Sequence, residues 1–173
     1  MENNIILLGF MGCGKSTIGK ILAKTLNLKF CDCDTLAEQR ENTSVNEIFA
    51  TKGEAYFRNL ETEILKDVCS KKGQIIATGG GAVLKQENVD ILRQNGLVIY
   101  LDVESDTVLE RLKNDTTRPL LARKDKRSAI DQLLSFRKPL YEKAAHVTIS
   151  ADSEAEIVAK SICEIYLSQA SKS

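Results

Sequence analysis

The chain has 173 residues, 43% hydrophobic and 28% charged, the size and make-up of one soluble domain able to bury its own core. Its 24 basic side chains balance 24 acidic ones, which excludes a sequence-independent nucleic-acid binder and confines any anion site to a local patch. No apolar run approaches the roughly 20 residues that cross a bilayer, and Met1-Glu2-Asn3-Asn4 lacks the basic and apolar regions of a secretory signal, so no membrane role and a cytoplasmic location are expected.

In chain order, Ile5–Leu8 is a short apolar run closed by Gly9, too short for a helix and rich in isoleucine, and reads as a buried strand. Lys15–Leu26 carries Ile18, Ile21, Leu22 and Leu26 at helical spacing. Lys29–Cys31 is a second strand ending at Asp32, and from Thr35 to Lys71 the pattern is helical, with breaks near Asn42 and Gly53. Gln74–Ala77 is a third strand stopped by Gly79-Gly80-Gly81, followed by helix Glu87–Asn95 with Gly96 as its stop signal. Leu97–Leu101 is a fourth strand and Asp106–Leu112 a helix. Between Lys113 and Arg127 periodicity vanishes and charge is dense, the pattern of a mobile loop. Helix Ser128–Lys143 follows, which Pro139 is expected to kink or end. Strand His146–Ile149 and helix Ser153–Leu167 close the chain. This alternation predicts a single α/β domain, residues 1–173, of parallel βαβ units covered on both faces. Ligands of such sheets bind beyond the carboxyl ends of the strands.

Gly9-Phe10-Met11-Gly12-Cys13-Gly14-Lys15-Ser16 fits the P-loop pattern G-x-x-x-x-G-K-S and lies between a predicted strand and a predicted helix, the context that pattern requires. Its glycines let backbone N–H groups converge on phosphate oxygens, and the helix N-terminus adds a favourable dipole. Lys15 is placed to reach the β- and γ-phosphates of ATP and Ser16 to offer its hydroxyl to Mg²⁺. Neither the N-K-x-D and D-x-x-G of guanine-nucleotide switches nor the signature of a transport ATPase occurs, which leaves the small-molecule kinases. Cys13, a thiol beside Lys15 at a helix N-terminus, is expected to be reactive and protected by nucleotide. The other four of the five cysteines read as buried small hydrophobes in a reduced protein, and zinc is not expected with one remote histidine, His146.

Further features lie at the predicted strand ends and in the segments between them: Asp32-Cys33-Asp34, Gly53-Glu54-x-x-Phe57-Arg58-x-x-Glu61, Thr78-Gly79-Gly80-Gly81, and Arg118-Pro119-Leu120-Leu121 followed by Arg137. With the P-loop form Gly9–Thr17, they make nearly the whole chain resemble the shikimate kinases, in order and at similar spacing. The resemblance implies a fold of the nucleoside-monophosphate-kinase type, with a five-stranded parallel sheet ordered 2-3-1-4-5, flanking helices and a mobile lid. It implies ATP-dependent phosphorylation of the shikimate 3-hydroxyl, with Mg²⁺, in the route to chorismate and the aromatic amino acids. A kinase of another polyhydroxy acid such as gluconate, or a non-catalytic binding protein, stands as the alternative.

Carried over residue by residue, the resemblance assigns Gly12, Cys13, Gly14, Lys15, Ser16 and Thr17 to ATP, and Ser16 with Asp32 to Mg²⁺. Asp34 is assigned to the acceptor hydroxyl. Strand alternation is expected to put both aspartates on one side and Cys31 and Cys33 on the other. The plain alternative is a pair of helix-capping aspartates. Arg58 and Arg137 are the expected clamps for the acceptor carboxylate, which a planar guanidinium fork suits, with Glu61 one turn on holding Arg58. Gly79, Gly80 and Gly81 let the backbone approach the acceptor ring. Residues of about 34–62 form the acceptor-binding helices and about 113–127 the lid. Lid residue Arg118 faces the transferring phosphoryl group, and Arg111 packs on adenine or makes a helix-end salt bridge. Asp102, at the end of the fourth strand, resembles a Walker B aspartate, but the resemblance puts that position at Thr78-Gly79-Gly80-Gly81 and leaves Asp102 to cap the next helix. Ser150-Ala151-Asp152-Ser153 offers neither the arginine nor the proline that many relatives carry, so only backbone is expected to line the adenine side. A monomer is the default state.

Overall fold

A computed structural model describes residues 3–115 and 125–170. Its strands are β1 (Asn4–Leu8), β2 (Lys29–Asp32), β3 (Gln74–Ala77), β4 (Gly96–Asp102) and β5 (Val147–Ser150). Its helices are α1 (Lys15–Leu26), α2 (Cys33–Glu41), α3 (Val45–Lys52), α4 (Glu54–Cys69), α5 (Gln86–Asn95), α6 (Ser105–Leu112), α7 (Lys126–Ala144) and α8 (Ala155–Ala170), with a 3-10 turn at Ala82–Leu84. The strands form one sheet in the order β2-β3-β1-β4-β5, and each neighbouring pair is parallel.

β1 sits in the middle, and all five of its residues are buried. A strand covered on both faces has no polar side to present, which is why Ile5, Ile6, Leu7 and Leu8 run together without alternation. Each such side chain contributes about 1.5–3 kcal/mol of burial. β5, at the edge, alternates between half-buried and exposed positions instead. Asn4, fully buried at the start of β1, stitches the amino end of the sheet: its amide donates to Lys71 O (2.8 Å) and Asn95 O (3.1 Å) and accepts from Gln74 N (3.0 Å).

The helical breaks fall where the sequence places them. Asn42 ends α2 in the left-handed region (φ 54 to 53° is the range of the two such asparagines, Asn27 and Asn42). Gly53 separates α3 from α4 at φ 83°. Two junctions differ from expectation. Gly96 does not merely stop α5 but is the first residue of β4, paired with Asn4, where a Cβ would stand 2.6 Å from Asn4 O. Pro139 does not end α7, which runs on to Ala144. The carbonyl that Pro139 leaves without a helical partner belongs to Ser135, and both residues are exposed, so water can satisfy it. Arg93 then closes the end of α7, its Nη1 reaching Ala144 O and Ala145 O at 3.0 Å each. Among the described residues no helix is long and apolar enough to cross a membrane.

Candidate active site

The carboxyl ends of the strands bring the sequence-predicted residues to one edge of the sheet. The P-loop turns from β1 into α1 through Gly12 (φ 75°) and Gly14 (φ 94°), conformations that cost glycine little and other residues more. No side chain caps α1, so its first N–H groups and its dipole are free to meet an anion. Lys15 folds over the loop, its Nζ donating to Gly9 O (2.6 Å) and Phe10 O (3.0 Å). Ser16 and Thr17 are exposed on the first turn of α1. Cys13 is a correction in one respect: its Sγ lies beside Gly9 and 3.5 Å from Lys15 Nζ, next to the lysine as expected, but the residue is 0% exposed and so shut off from solvent.

Asp32 caps α2, and the same carboxylate bonds the P-loop serine. Its Oδ2 accepts the Ser16 hydroxyl at 2.6 Å, and its Oδ1 caps α2 by accepting from Asp34 N (3.0 Å) and Thr35 N (3.2 Å). One carboxylate therefore ties the P-loop serine to the backbone that carries Asp34. Strand alternation is not the reason Asp32 and Asp34 share a side, because β2 stops at Asp32 and Asp34 sits in the first turn of α2. Cys31 and Cys33 are buried as expected, and burial pushes both thiols upward in pKa. Hydroxyl and carboxylate oxygens are the hard donors that suit Mg²⁺, an ion that takes few protein ligands and keeps water and phosphate for the rest. The Ser16–Asp32 pair fits that demand.

The glycine turn after β3 is where the residues expected to hold the acceptor converge. A Cβ on Gly79 would lie 2.7 Å from Glu61 Oε2 and 2.9 Å from Asp34 Oδ1. One on Gly81 would lie 2.6 Å from Arg58 Cζ, and one on Gly80 would lie 3.4 Å from Arg137 Nη1. Asp34, Arg58, Glu61 and Arg137 thus surround three glycines, none of which has a positive φ. Space, not backbone freedom, requires glycine at 79 and 81.

Arg58, on α4, donates through Nη1 to Glu61 Oε1 at 2.9 Å and lies over the rings of Phe49 and Phe57, 5.7 and 5.4 Å from their centroids. Glu61 is 3% exposed; burial pushes its carboxyl above the usual range, with Arg58 pulling back. Arg58 Nε, Arg137 Nε and Glu61 Oε2 are all buried and make no hydrogen bond among the described residues, although Arg58 Nε faces the exposed Glu54 carboxylate at 3.5 Å. Buried polar atoms are rarely left so, and three of them around one turn mark a place built for a polar ligand.

One contributor, Tyr141, is not among the residues singled out from the sequence. Tyr141, one turn after Arg137 on α7, donates to Gly80 O at 2.5 Å and stacks on Tyr100 at 5.0 Å between centroids. Burial raises the Tyr141 hydroxyl to about 12, so it stays a donor at any ordinary pH. The i, i+4 spacing from Arg137 was the available clue. Asp102 does not cap α6: its oxygens accept from Tyr100 Oη (2.8 Å) and Lys138 Nζ (2.7 Å). Arg111 donates to Gly12 O (3.2 Å) and Ala151 O (2.9 Å), fastening the P-loop to the segment after β5. Arg118 lies outside the described residues.

The shikimate kinase family model matches residues 11–166. A shikimate kinase of Sulfurihydrogenibium sp. is 46% identical over 151 residues, covering 87% of this chain and 89% of that one. One from Caldicellulosiruptor bescii is 40% identical over 169 residues, 98% of each chain. Among solved structures, shikimate kinase from Acinetobacter baumannii in complex with shikimate superposes with a TM-score of 0.94 at 37% identity, covering 98% of this chain and 95% of that one.

Proposed function

The chain belongs to the shikimate kinase family, and on that premise we propose how its own residues divide the work of the reaction. The activity is ATP-dependent phosphorylation of a shikimate hydroxyl, the acceptor O–P bond forming as the β,γ-bridging bond of ATP breaks and ADP leaves. In this reading the hydroxyl is that on C3, and the protein works in the cytoplasm.

Gly12 to Thr17 wrap the ATP phosphates, with Lys15 leaving its carbonyl partners for the β- and γ-oxygens. Ser16 and Asp32 would hold Mg²⁺, which would supply neutralising charge when bound. Asp34 holds the acceptor hydroxyl in line and takes its proton at a carboxylate oxygen. Arg58 and Arg137 grip the acceptor carboxylate, Glu61 orienting Arg58, while the turn Gly79–Gly81 admits the ring. Arg111 supports the adenine side through Gly12 and Ala151. Residues of about 34–62 serve as the acceptor-binding unit and about 113–127 as a lid carrying Arg118 to the transferring phosphoryl group. Such closure keeps water from competing as acceptor.

The observation that carries this division is the trio of buried atoms without a hydrogen bond, Arg58 Nε, Arg137 Nε and Glu61 Oε2, gathered beside Asp34 at the glycine turn. Two guanidiniums next to a carboxylate suit a ligand that is both an acid and an alcohol. The test is coupled ADP release with Mg²⁺ and ATP, comparing shikimate, gluconate, a nucleoside monophosphate and no acceptor. Strong turnover with shikimate alone is expected; ADP release no greater than the blank would overturn the acceptor assignment.

A further inference from the structure

We propose that Asn88 is a positioning residue for the acceptor carboxylate, acting with Thr62 to hold Arg58 against Gly81; the inference rests on the reading of Arg58 as a carboxylate clamp. Asn88, in the first turn of α5, is 0% exposed, and Thr62, in α4, is 5% exposed. Asn88 Nδ2 donates to Ala82 O at 3.0 Å, and its Oδ1 accepts from Thr62 Oγ1 at 2.7 Å. The amide cannot be turned round, since that would set oxygen against the Ala82 carbonyl. The Thr62 hydroxyl also lies 3.0 Å from Arg58 O, one turn back along α4, and shares its single proton between the two acceptors.

The contacts close a ring. From Arg58 O they run through Thr62 and Asn88 to Ala82, the residue after Gly81, and Gly81 in turn lies against the Arg58 guanidinium. The spacing between α4 and the glycine turn, which fixes where the guanidinium rests, is therefore set by two buried side chains. Exposed pairs span the same gap: Lys85 to Asn59 Oδ1 at 2.7 Å, and Lys66 to Glu87 at 2.6 Å, both of the latter more than half exposed. Pairs in water contribute little. Removing the Asn88 amide instead leaves Ala82 O buried without its side-chain donor and the Thr62 hydroxyl with Arg58 O alone, which is costly enough to move the turn. The P-loop and Asp34 are held separately, by Asp32 and by α1. Carboxylate binding should therefore suffer while ATP binding and turnover at saturation do not.

The experiment measures steady-state kinetics of Asn88→Ala and Thr62→Val with shikimate and with its neutral methyl ester. Both variants are expected to raise the KM for shikimate on the order of tenfold, the scale of a sub-ångström misplacement, with kcat and the KM for ATP within about threefold. With the ester, which offers no carboxylate to clamp, kcat/KM should match that of the unaltered protein. Equal losses with acid and ester, or losses shared with ATP, would mean a merely structural role and overturn the proposal. Thr62→Val is nearly isosteric and carries the test if Asn88→Ala does not fold. Arg58→Lys separates the two levels of the argument. If it leaves the shikimate KM unchanged, the clamp reading falls; if it raises that KM and the other two variants do not, only the role of Asn88 falls.

Discussion

Replacing Gly81 by alanine tests the acceptor site with a single methyl group. The backbone at Gly81 (φ −97°, ψ 4°) is open to alanine, so the substitution brings no backbone strain. The new carbon would stand 2.6 Å from Arg58 Cζ, whereas non-bonded carbons rest about 3.5 Å apart, so the guanidinium must retreat by about 1 Å. Only the flexible end of Arg58 has to move. The bond from Nη1 to Glu61 and the aim of the clamp are lost together. Hydrogen bonds to charged groups contribute about 1.5–3 kcal/mol. That corresponds to an increase of roughly 10- to 150-fold in the shikimate KM. The neighbouring glycines make the comparison internal. Alanine at Gly79 would lie 2.7 Å from Glu61 Oε2 and 2.9 Å from Asp34 Oδ1, and should depress kcat as well. At Gly80 the nearest atom is 3.4 Å away, and the shift should be the smallest of the three. Coupled ADP release over a shikimate titration at saturating ATP reads all of these. An unchanged shikimate KM in Gly81→Ala, or a larger effect at Gly80 than at Gly81, would refute the steric argument.

Three further outcomes are expected. Asp34→Asn should nearly abolish turnover with ATP affinity kept, measured by calorimetric nucleotide titration; near-normal turnover would remove Asp34 from the proton's path. Cys13 should resist a thiol-alkylating reagent in the native protein with or without nucleotide and label only on unfolding, as peptide mass mapping would reveal, because its side chain is fully buried. His146 Nδ1 accepts from Val98 N at 3.0 Å, and burial, then the charge of Arg93, holds its pKa below the usual 6.5. The unfolded chain therefore binds that proton first, so stability is full above pH 6.5 and falls as pH drops through 6.5 toward the folded-state value. His146→Asn keeps an acceptor near the same place without titrating. Urea midpoints at pH 8 and 5.5 should show a smaller loss in the variant, and an equal loss would exclude His146 as the source.

Much of the fold is legible in local pattern because local pattern is what forms it. α1 and β3 have the bounds that periodicity predicts, Lys15–Leu26 and Gln74–Ala77, and the breaks at Asn42 and Gly53 are residues that accept a positive φ. Distant contacts decide what local pattern does not. Gly96 stops α5 as its pattern suggests, but it is also drawn into β4 by pairing with Asn4, ninety-two residues away in sequence. Pro139 reads as a kink or an end, and α7 continues past it because Tyr141 beyond it is fully buried against Tyr100 and bonded to Gly80 O. Burial of one aromatic ring outweighs a single lost helical bond on an exposed face.

The site divides along the same line. The P-loop Gly9–Ser16 is encoded in contiguous residues, since a loop and the helix N-terminus after it make their own geometry, and the sequence by itself determined it. The residues proposed for the acceptor could be named but not arranged. That Asp32 serves as cap and as serine partner at once, that Cys13 is shut off from solvent, and that Asn88 and Thr62 lie beneath Arg58 follow only from the packing of α2, α4 and α5 around the sheet. Hydrogen bonds between residues far apart in the chain leave no periodic trace in it, so tertiary structure alone decided where the clamp rests and what braces it.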